Sequence, residues 1–132
     1  MKKKILIVIS IYYEEIGKNL LKGSITELEL NKVDYEIIYA PGCFEIPFLI
    51  SKNIKKYKGF IALGCIIRGE TYHFHLIANE CARKIMEISN KHLKPIGFGI
   101  LTCDNIKQAK IRSDTRKINK GKEAANACLK LL

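Results

Sequence analysis

Residues 5–9 read Ile-Leu-Ile-Val-Ile, an aliphatic run with no polar interruption. A strand with one wet face alternates apolar and polar residues, so an unbroken run fits a strand covered on both faces. That is the signature of a parallel sheet between two layers of helices. The rest of the chain fits the same plan. Residues 35–39 make a second strand, stopped by Pro41-Gly42; residues 59–63 begin a third that can continue through Cys65-Ile66-Ile67; residues 96–101, after Pro95, make a fourth. Helical patterns lie between them. Ile16, Leu20, Ser24 and Leu28 form one stripe between Glu14 and about Leu30, and residues 44–56 read as a helix with Pro47 in its first turn. Ile77, Cys81, Ile85 and Ile88 share a face; a short helix covers about 105–112; and a last one, about 119–131, should bury Ala124, Cys128 and Leu131.

Four strands alternating with helices predict an α/β fold, a three-layer αβα sandwich with a four-stranded parallel sheet of flavodoxin-like type. At 132 residues this is a single domain, 1–132, with no room for a separate cofactor domain. Ligands of such sheets bind beyond the carboxyl ends of the strands, here residues 10–13, 40–45, 65–73 and 101–104.

Composition narrows the classes of function. Lys and Arg number 23 against 13 Asp and Glu, a formal charge of +10. The lysines are scattered, there is no Trp, and no arginine-rich or aromatic-basic run occurs, so solvated helix faces are expected rather than a nucleic-acid partner. The five cysteines, Cys43, Cys65, Cys81, Cys103 and Cys128, never form Cys-x-x-Cys, which argues against zinc or a disulfide framework and fits a reducing cytoplasm. No apolar run nears the roughly 20 residues that span a bilayer. The basic start at Lys2-Lys3-Lys4 precedes too short an apolar stretch for a signal peptide. The expectation is a soluble cytoplasmic protein with no membrane partner.

Three segments carry chemistry. Gly64-Cys65-Ile66-Ile67-Arg68-Gly69-Glu70-Thr71-Tyr72-His73-Phe74-His75 joins a buried strand to a helix start. Gly69 allows a sharp turn, Thr71 can cap the helix, and the unpaired N–H groups there suit a phosphate. His73, in the first helical turn, is a candidate proton shuttle. His73-x-His75 lacks the four-residue spacing of paired helical metal ligands, so no metal is expected. Ala40-Pro41-Gly42-Cys43-Phe44-Glu45-Ile46-Pro47 brings a carboxylate to a strand end, where Glu45 could accept hydrogen bonds from a polyol; Phe44 reads as packing, and Cys43 has no adjacent base to make it a nucleophile. Ser10-Ile11-Tyr12-Tyr13 offers rings that could stack on a flat heterocycle. Arg112 and Lys120 read by default as solvated, although Arg suits forked recognition of phosphate.

These residues resemble the lumazine synthase family of riboflavin biosynthesis. Pro41-Gly42-Cys43-Phe44-Glu45-Ile46-Pro47 is similar to the family's Pro-Gly-Ala-Phe-Glu-Ile-Pro, and Leu63-Gly64-Cys65-Ile66-Ile67-Arg68-Gly69-Glu70-Thr71-x-His73 to its central signature. Phe98-Gly99-Ile100-Leu101-Thr102 and Asn119-Lys120-Gly121 match later ones. The resemblance implies a transferase that condenses 5-amino-6-(D-ribitylamino)uracil with 3,4-dihydroxy-2-butanone 4-phosphate to give 6,7-dimethyl-8-ribityllumazine, phosphate and water, with no cofactor. It implies a homo-oligomer built from pentamers with sites between subunits. Tyr12 would stack on the pyrimidine; Cys43, Phe44, Glu45, Cys65, Ile66 and Ile67 would hold the ring and ribityl chain; Glu70 and Thr71 would bind phosphate; and His73 would transfer protons. Phe98 and Arg112 would come from the adjacent subunit, Arg112 gripping phosphate.

The chain departs from the family pattern in places. Ile11-Tyr12-Tyr13 stands where Arg-Phe-Asn is usual, and Cys43 replaces a small Ala. The chain begins almost at its first strand, which leaves pentamer, decamer and sixty-subunit shell open. Competing readings are an archaeal-type riboflavin synthase of the same fold, a non-catalytic flavin-binding shell, and a nucleic-acid binder. A phosphoacceptor receiver is disfavoured because residues 10–13 contain no acidic cluster.

Overall fold

The computed structural model describes residues 4–69 and 73–132. Four strands, β1 (Ile5–Ser10), β2 (Tyr35–Ala40), β3 (Gly59–Ile67) and β4 (Ile96–Cys103), alternate with helices α1 (Glu14–Leu30), α2 (Ile46–Lys52), α3 (His73–His92), α4 (Ile106–Ser113) and α5 (Lys120–Leu131). A 3₁₀ turn, Cys43–Glu45, precedes α2. The strands pair in the order β2-β1-β3-β4, all parallel. The aliphatic run of β1 is therefore central, with Ile5 opposite both Tyr35 and Gly59, and every one of its residues is buried.

Strand periodicity divides the core in two. Ile5, Ile7, Ile9, Ile61 and Leu63 face α1 and α5 through Ile16, Leu20, Leu28, Ala124 and Cys128. Leu6, Val8, Phe60, Ala62 and Ile100 face α2 and α3 through Ile46, Ile50, Cys81, Ile85 and Ile88. The expected αβα sandwich is thus present. The chain crosses to β2 on one side of β1 and returns to β3 on the other. This topological switch opens a crevice between the carboxyl ends of β1 and β3.

The Asn119-Lys120-Gly121 motif is a structural lock. Asn119 is buried; its Oδ1 accepts from Lys122 N at 3.0 Å to cap α5, and its Nδ2 donates to the carbonyls of Ser113 at 2.7 Å and Asn19 at 3.0 Å. Ser24 Oγ donates to the carbonyl of Gly121 at 2.6 Å. A Cβ on Gly121 would lie 2.0 Å from the carbonyl oxygen of Leu20, so α1 and α5 meet there backbone to backbone.

Some expectations need correction. The helix read at 44–56 is shorter: α2 ends at Lys52, where Asn53 turns its Nδ2 back to the carbonyl of Leu49 and the chain leaves in turns. Leu131 is 72% exposed, while Cys128 is buried and Leu129 packs against the core, so Leu131 lies off the buried face of α5. None of the described glycines has a positive φ, so the left-handed turn that would call for a glycine is not made at Gly69. Lys32 and Leu93, just after α1 and α3, take left-handed conformations instead (φ 55° and 52°).

Candidate functional site

The crevice at the switch point is a cleft of about 610 Å³. Its floor is the end of the sheet: Ser10 from β1 and Cys65, Ile66 and Ile67 from β3. One wall is the turn after β2, with Cys43, Phe44 and Glu45, and the opposite wall is the first turn of α3, with His73, Leu76 and Ile77. Tyr12 and Tyr13 close it from the loop after β1. Eight of the site residues expected from sequence, Tyr12, Cys43, Phe44, Glu45, Cys65, Ile66, Ile67 and His73, are brought together here.

Two rings stand at the rim. Tyr12 is 77% exposed and packs edge-on to Tyr13, with ring centroids 5.1 Å apart. Phe44 is 58% exposed, so its sequence reading as a packing residue is wrong: the 3₁₀ turn buries Cys43 and points Phe44 outward. Both rings bring apolar surface to the rim of the cleft. Glu45 is half-buried beside them, its Oε1 3.2 Å from where a Cβ on Gly42 would lie.

The thiols in and just behind the cleft are not poised to react. Cys43 Sγ points toward the Cys65 carbonyl at 4.0 Å, and Cys81 Sγ donates to the Cys43 carbonyl at 3.4 Å. Burial pushes the Cys43 thiol up to about 11 and those of Cys65 and Cys81 up to about 12. Neutral thiols are weak nucleophiles, and the raised Cys43 thiol is in line with the sequence expectation that Cys43 is a poor nucleophile.

His73 is exposed and is the first residue of α3, as its position after the signature turn predicts. Glu70 and Thr71, the expected phosphate-binding pair, lie outside the described residues, as does the expected cap formed by Thr71.

Phe98 and Arg112 do not line this cleft. Phe98 is on edge strand β4, at a smaller hollow of about 300 Å³ bordered by Met86 and Asn90 of α3. Arg112 is on α4, where its Nη1 donates to the carbonyl of Gln108 at 3.3 Å. Lys120 is exposed and paired with Glu123 at 3.2 Å. Among the described residues no cluster of three His, Cys, Asp or Glu side chains could hold a metal, and no helix is long and apolar enough to cross a membrane.

Sequence reasoning missed Ser10, whose buried hydroxyl accepts from the Tyr12 backbone N–H at 3.5 Å. A polar residue closing an otherwise aliphatic strand was the available signal. It also missed the surroundings of Arg68: its Nε donates to Asp104 Oδ1 at 2.8 Å, its Nη1 lies 3.4 Å from His75 Nε2, and its guanidinium sits 5.1 Å from the centre of the Phe74 ring.

A parallel sheet wound in both directions, with a cleft at its switch point, places the chain among the doubly wound α/β proteins, whose ligand sites lie in that crevice. Comparison with known proteins goes further. Residues 2–132 match the family of 6,7-dimethyl-8-ribityllumazine synthase. The chain is 43% identical over 134 residues to the 6,7-dimethyl-8-ribityllumazine synthase of Bartonella tribocorum, covering 98% of this chain and 89% of that one. It is 45% identical to the protein of the same name from Bartonella henselae (97% and 85% covered) and 45% identical to that of Buchnera aphidicola subsp. Schizaphis graminum (97% and 84%). The chain belongs to the 6,7-dimethyl-8-ribityllumazine synthase family.

Proposed function

We propose that this protein catalyses the condensation of 5-amino-6-(D-ribitylamino)uracil with 3,4-dihydroxy-2-butanone 4-phosphate to 6,7-dimethyl-8-ribityllumazine. The observation that carries the reading is the convergence in one cleft of two exposed rings, a half-buried carboxylate and an imidazole at the start of a 20-residue helix. Tyr12 and Phe44 present stacking faces to the pyrimidine, and Glu45 accepts hydrogen bonds from the ribityl hydroxyls. The substrate amine is the nucleophile, so the high thiol pKa values on the floor do not impede the reaction. The 5-amino group attacks the ketone, and water leaves as the imine forms. Phosphate is then eliminated, and the ribitylamino nitrogen closes the second ring with loss of another water. His73 takes and returns protons along this sequence, and general acid–base help of this kind supplies roughly 10²–10⁴-fold. Holding two reactants in register supplies much of the remaining acceleration.

Arg112 is read as the phosphate grip of an adjacent copy. It does not line its own subunit's cleft, and a guanidinium is suited to the departing anion. On this reading the protein is a cytoplasmic homo-oligomer built from pentamers and needs no cofactor. Incubating the purified protein with both substrates should generate the lumazine absorbance. Riboflavin formed from lumazine alone would instead assign the related riboflavin synthase activity, and ligand binding with no turnover would assign a carrier.

A further inference from the structure

We propose that Arg68 is a positioning residue that sets the first turn of α3, and with it the imidazole of His73. This deepens the condensation reading above and rests on it for its kinetic test. Arg68 follows the end of β3, and its backbone N–H donates to the Cys103 carbonyl at 2.8 Å, continuing the β3–β4 ladder one residue past the strand. Its side chain then spans two elements. On the β4 side Nε donates to Asp104 Oδ1 at 2.8 Å. On the α3 side Nη1 meets His75 Nε2 at 3.4 Å, and the guanidinium carbon stands 5.1 Å from the centre of the Phe74 ring, within cation–π range. Phe74 and His75 also pack edge-to-face, with centroids 5.2 Å apart.

Phe74 and His75 are the two residues after His73 on the same helical turn. A group that grips both, and is itself tied to two consecutive residues at the end of β4, fixes the direction in which that turn leaves the sheet. Arg68 is absent from the cleft lining, so it acts on the reaction through His73 rather than by touching substrate. A planar guanidinium suits this task because it can donate sideways to two partners and lie near a ring at once, whereas a lysine ammonium acts as a point charge. Its pair with Asp104 is solvent-exposed, and such pairs add little to global stability, so its replacement leaves a folded protein to measure.

The test uses Arg68→Ala, Arg68→Lys and Asp104→Asn in the full chain. Arg68→Ala should lower kcat by roughly tenfold to a hundredfold, the scale of a misplaced catalytic group, and change KM for the pyrimidine less than about threefold. Asp104→Asn, which keeps the arginine but weakens its anchor, should shift kcat in the same direction by less, and Arg68→Lys should recover only part of the loss. A second readout does not depend on the reaction. The chain has three histidines, so its imidazole NMR signals can be assigned one by one, with His73→Gln identifying the first. In Arg68→Ala the His73 signals should move while those of remote His92 stay in place. An unmoved His73 resonance would overturn the proposal, as would a rise in KM at constant kcat, which would mean that Arg68 binds substrate. If wild-type protein makes no lumazine, the condensation reading fails, and the imidazole spectra still decide the role of Arg68.

Discussion

The sulfur of Cys43 occupies the space that a side chain at position 64 would need: a Cβ built on Gly64 lies 2.6 Å from Cys43 Sγ. The two residues belong to different elements, the 3₁₀ turn after β2 and the middle of β3, and they meet beside the cleft, which Cys43 lines. Gly64→Ala should therefore force the turn away from the sheet and cost about 1–3 kcal/mol, the scale of overpacking. Removing the sulfur frees that space, since the next neighbours of the added methyl, Ser10 Cβ at 3.6 Å and Ile46 Cδ1 at 3.8 Å, are ordinary contacts. The double variant Cys43→Ala/Gly64→Ala should be more stable than the sum of the two single changes predicts, by about 1 kcal/mol or more. A double-mutant cycle by urea unfolding measures this directly, and strict additivity would show that the two residues do not compete for space.

Asn119 joins three parts of the chain through one amide: the start of α5, the end of α4 and the middle of α1. Asn119→Ala removes a helix cap and leaves two carbonyls without their donor. The expected loss is about 2–4 kcal/mol, combining roughly 1 kcal/mol for a cap with the cost of unpaired buried groups. The urea midpoint should fall with an unchanged slope. Lys120→Ala, one residue on, should leave the midpoint nearly unmoved because its pair with Glu123 is exposed.

Burial raises the thiols of Cys43 and Cys128 to about 11 and those of Cys65 and Cys81 to about 12, against an ordinary value of 9.0. The folded protein holds these protons more tightly than the unfolded chain does. Their contribution to stability is complete below pH 9.0 and is lost as pH rises through the folded values, between about 9 and about 12. Urea unfolding across this range should show stability falling with pH. Cys128→Ala, which deletes one such group from the core under Gly59, should make the fall shallower. A pH slope identical in the variant would remove the thiol from the account.

The cleft contains His73 but not Arg112. If the site is completed by a neighbouring copy, His73→Ala and Arg112→Ala should each lose most activity alone, His73→Ala chiefly in kcat and Arg112→Ala chiefly in use of the phosphorylated ketone. Co-assembled from unfolded mixtures, they should regain a measurable fraction, because some sites would then draw an intact imidazole and an intact guanidinium from different chains. No regain on mixing would place both residues in one subunit's site.

Much of the fold was readable because burial leaves a plain trace. The aliphatic run of β1 and the stripe Ile16, Leu20, Ser24 and Leu28 name the faces they bury, and even Ser24 belongs there because its hydroxyl has Gly121's carbonyl as partner. Helix ends were less readable. The apolar pattern runs on between Phe44 and Lys56; the break comes at Asn53, whose amide folds back on the Leu49 carbonyl four residues earlier, a local contact that hydrophobic periodicity does not mark. The exposure of Phe44 was hidden for a similar reason. An apolar residue beside a strand end reads as core until the turn that holds it is known. Arg68 gave no signal because its partners, Asp104 and His75, lie 36 and 7 residues away.

Tyr12 and Phe44 hold most of their surface in water at the rim of the cleft. A planar guest that covers them sheds that hydration, so loading the cleft should lower the protein's heat capacity, which is the thermal mark of apolar surface withdrawn from solvent. The affinity for such a guest is then tied to temperature through two side chains that take no part in the bond-making steps.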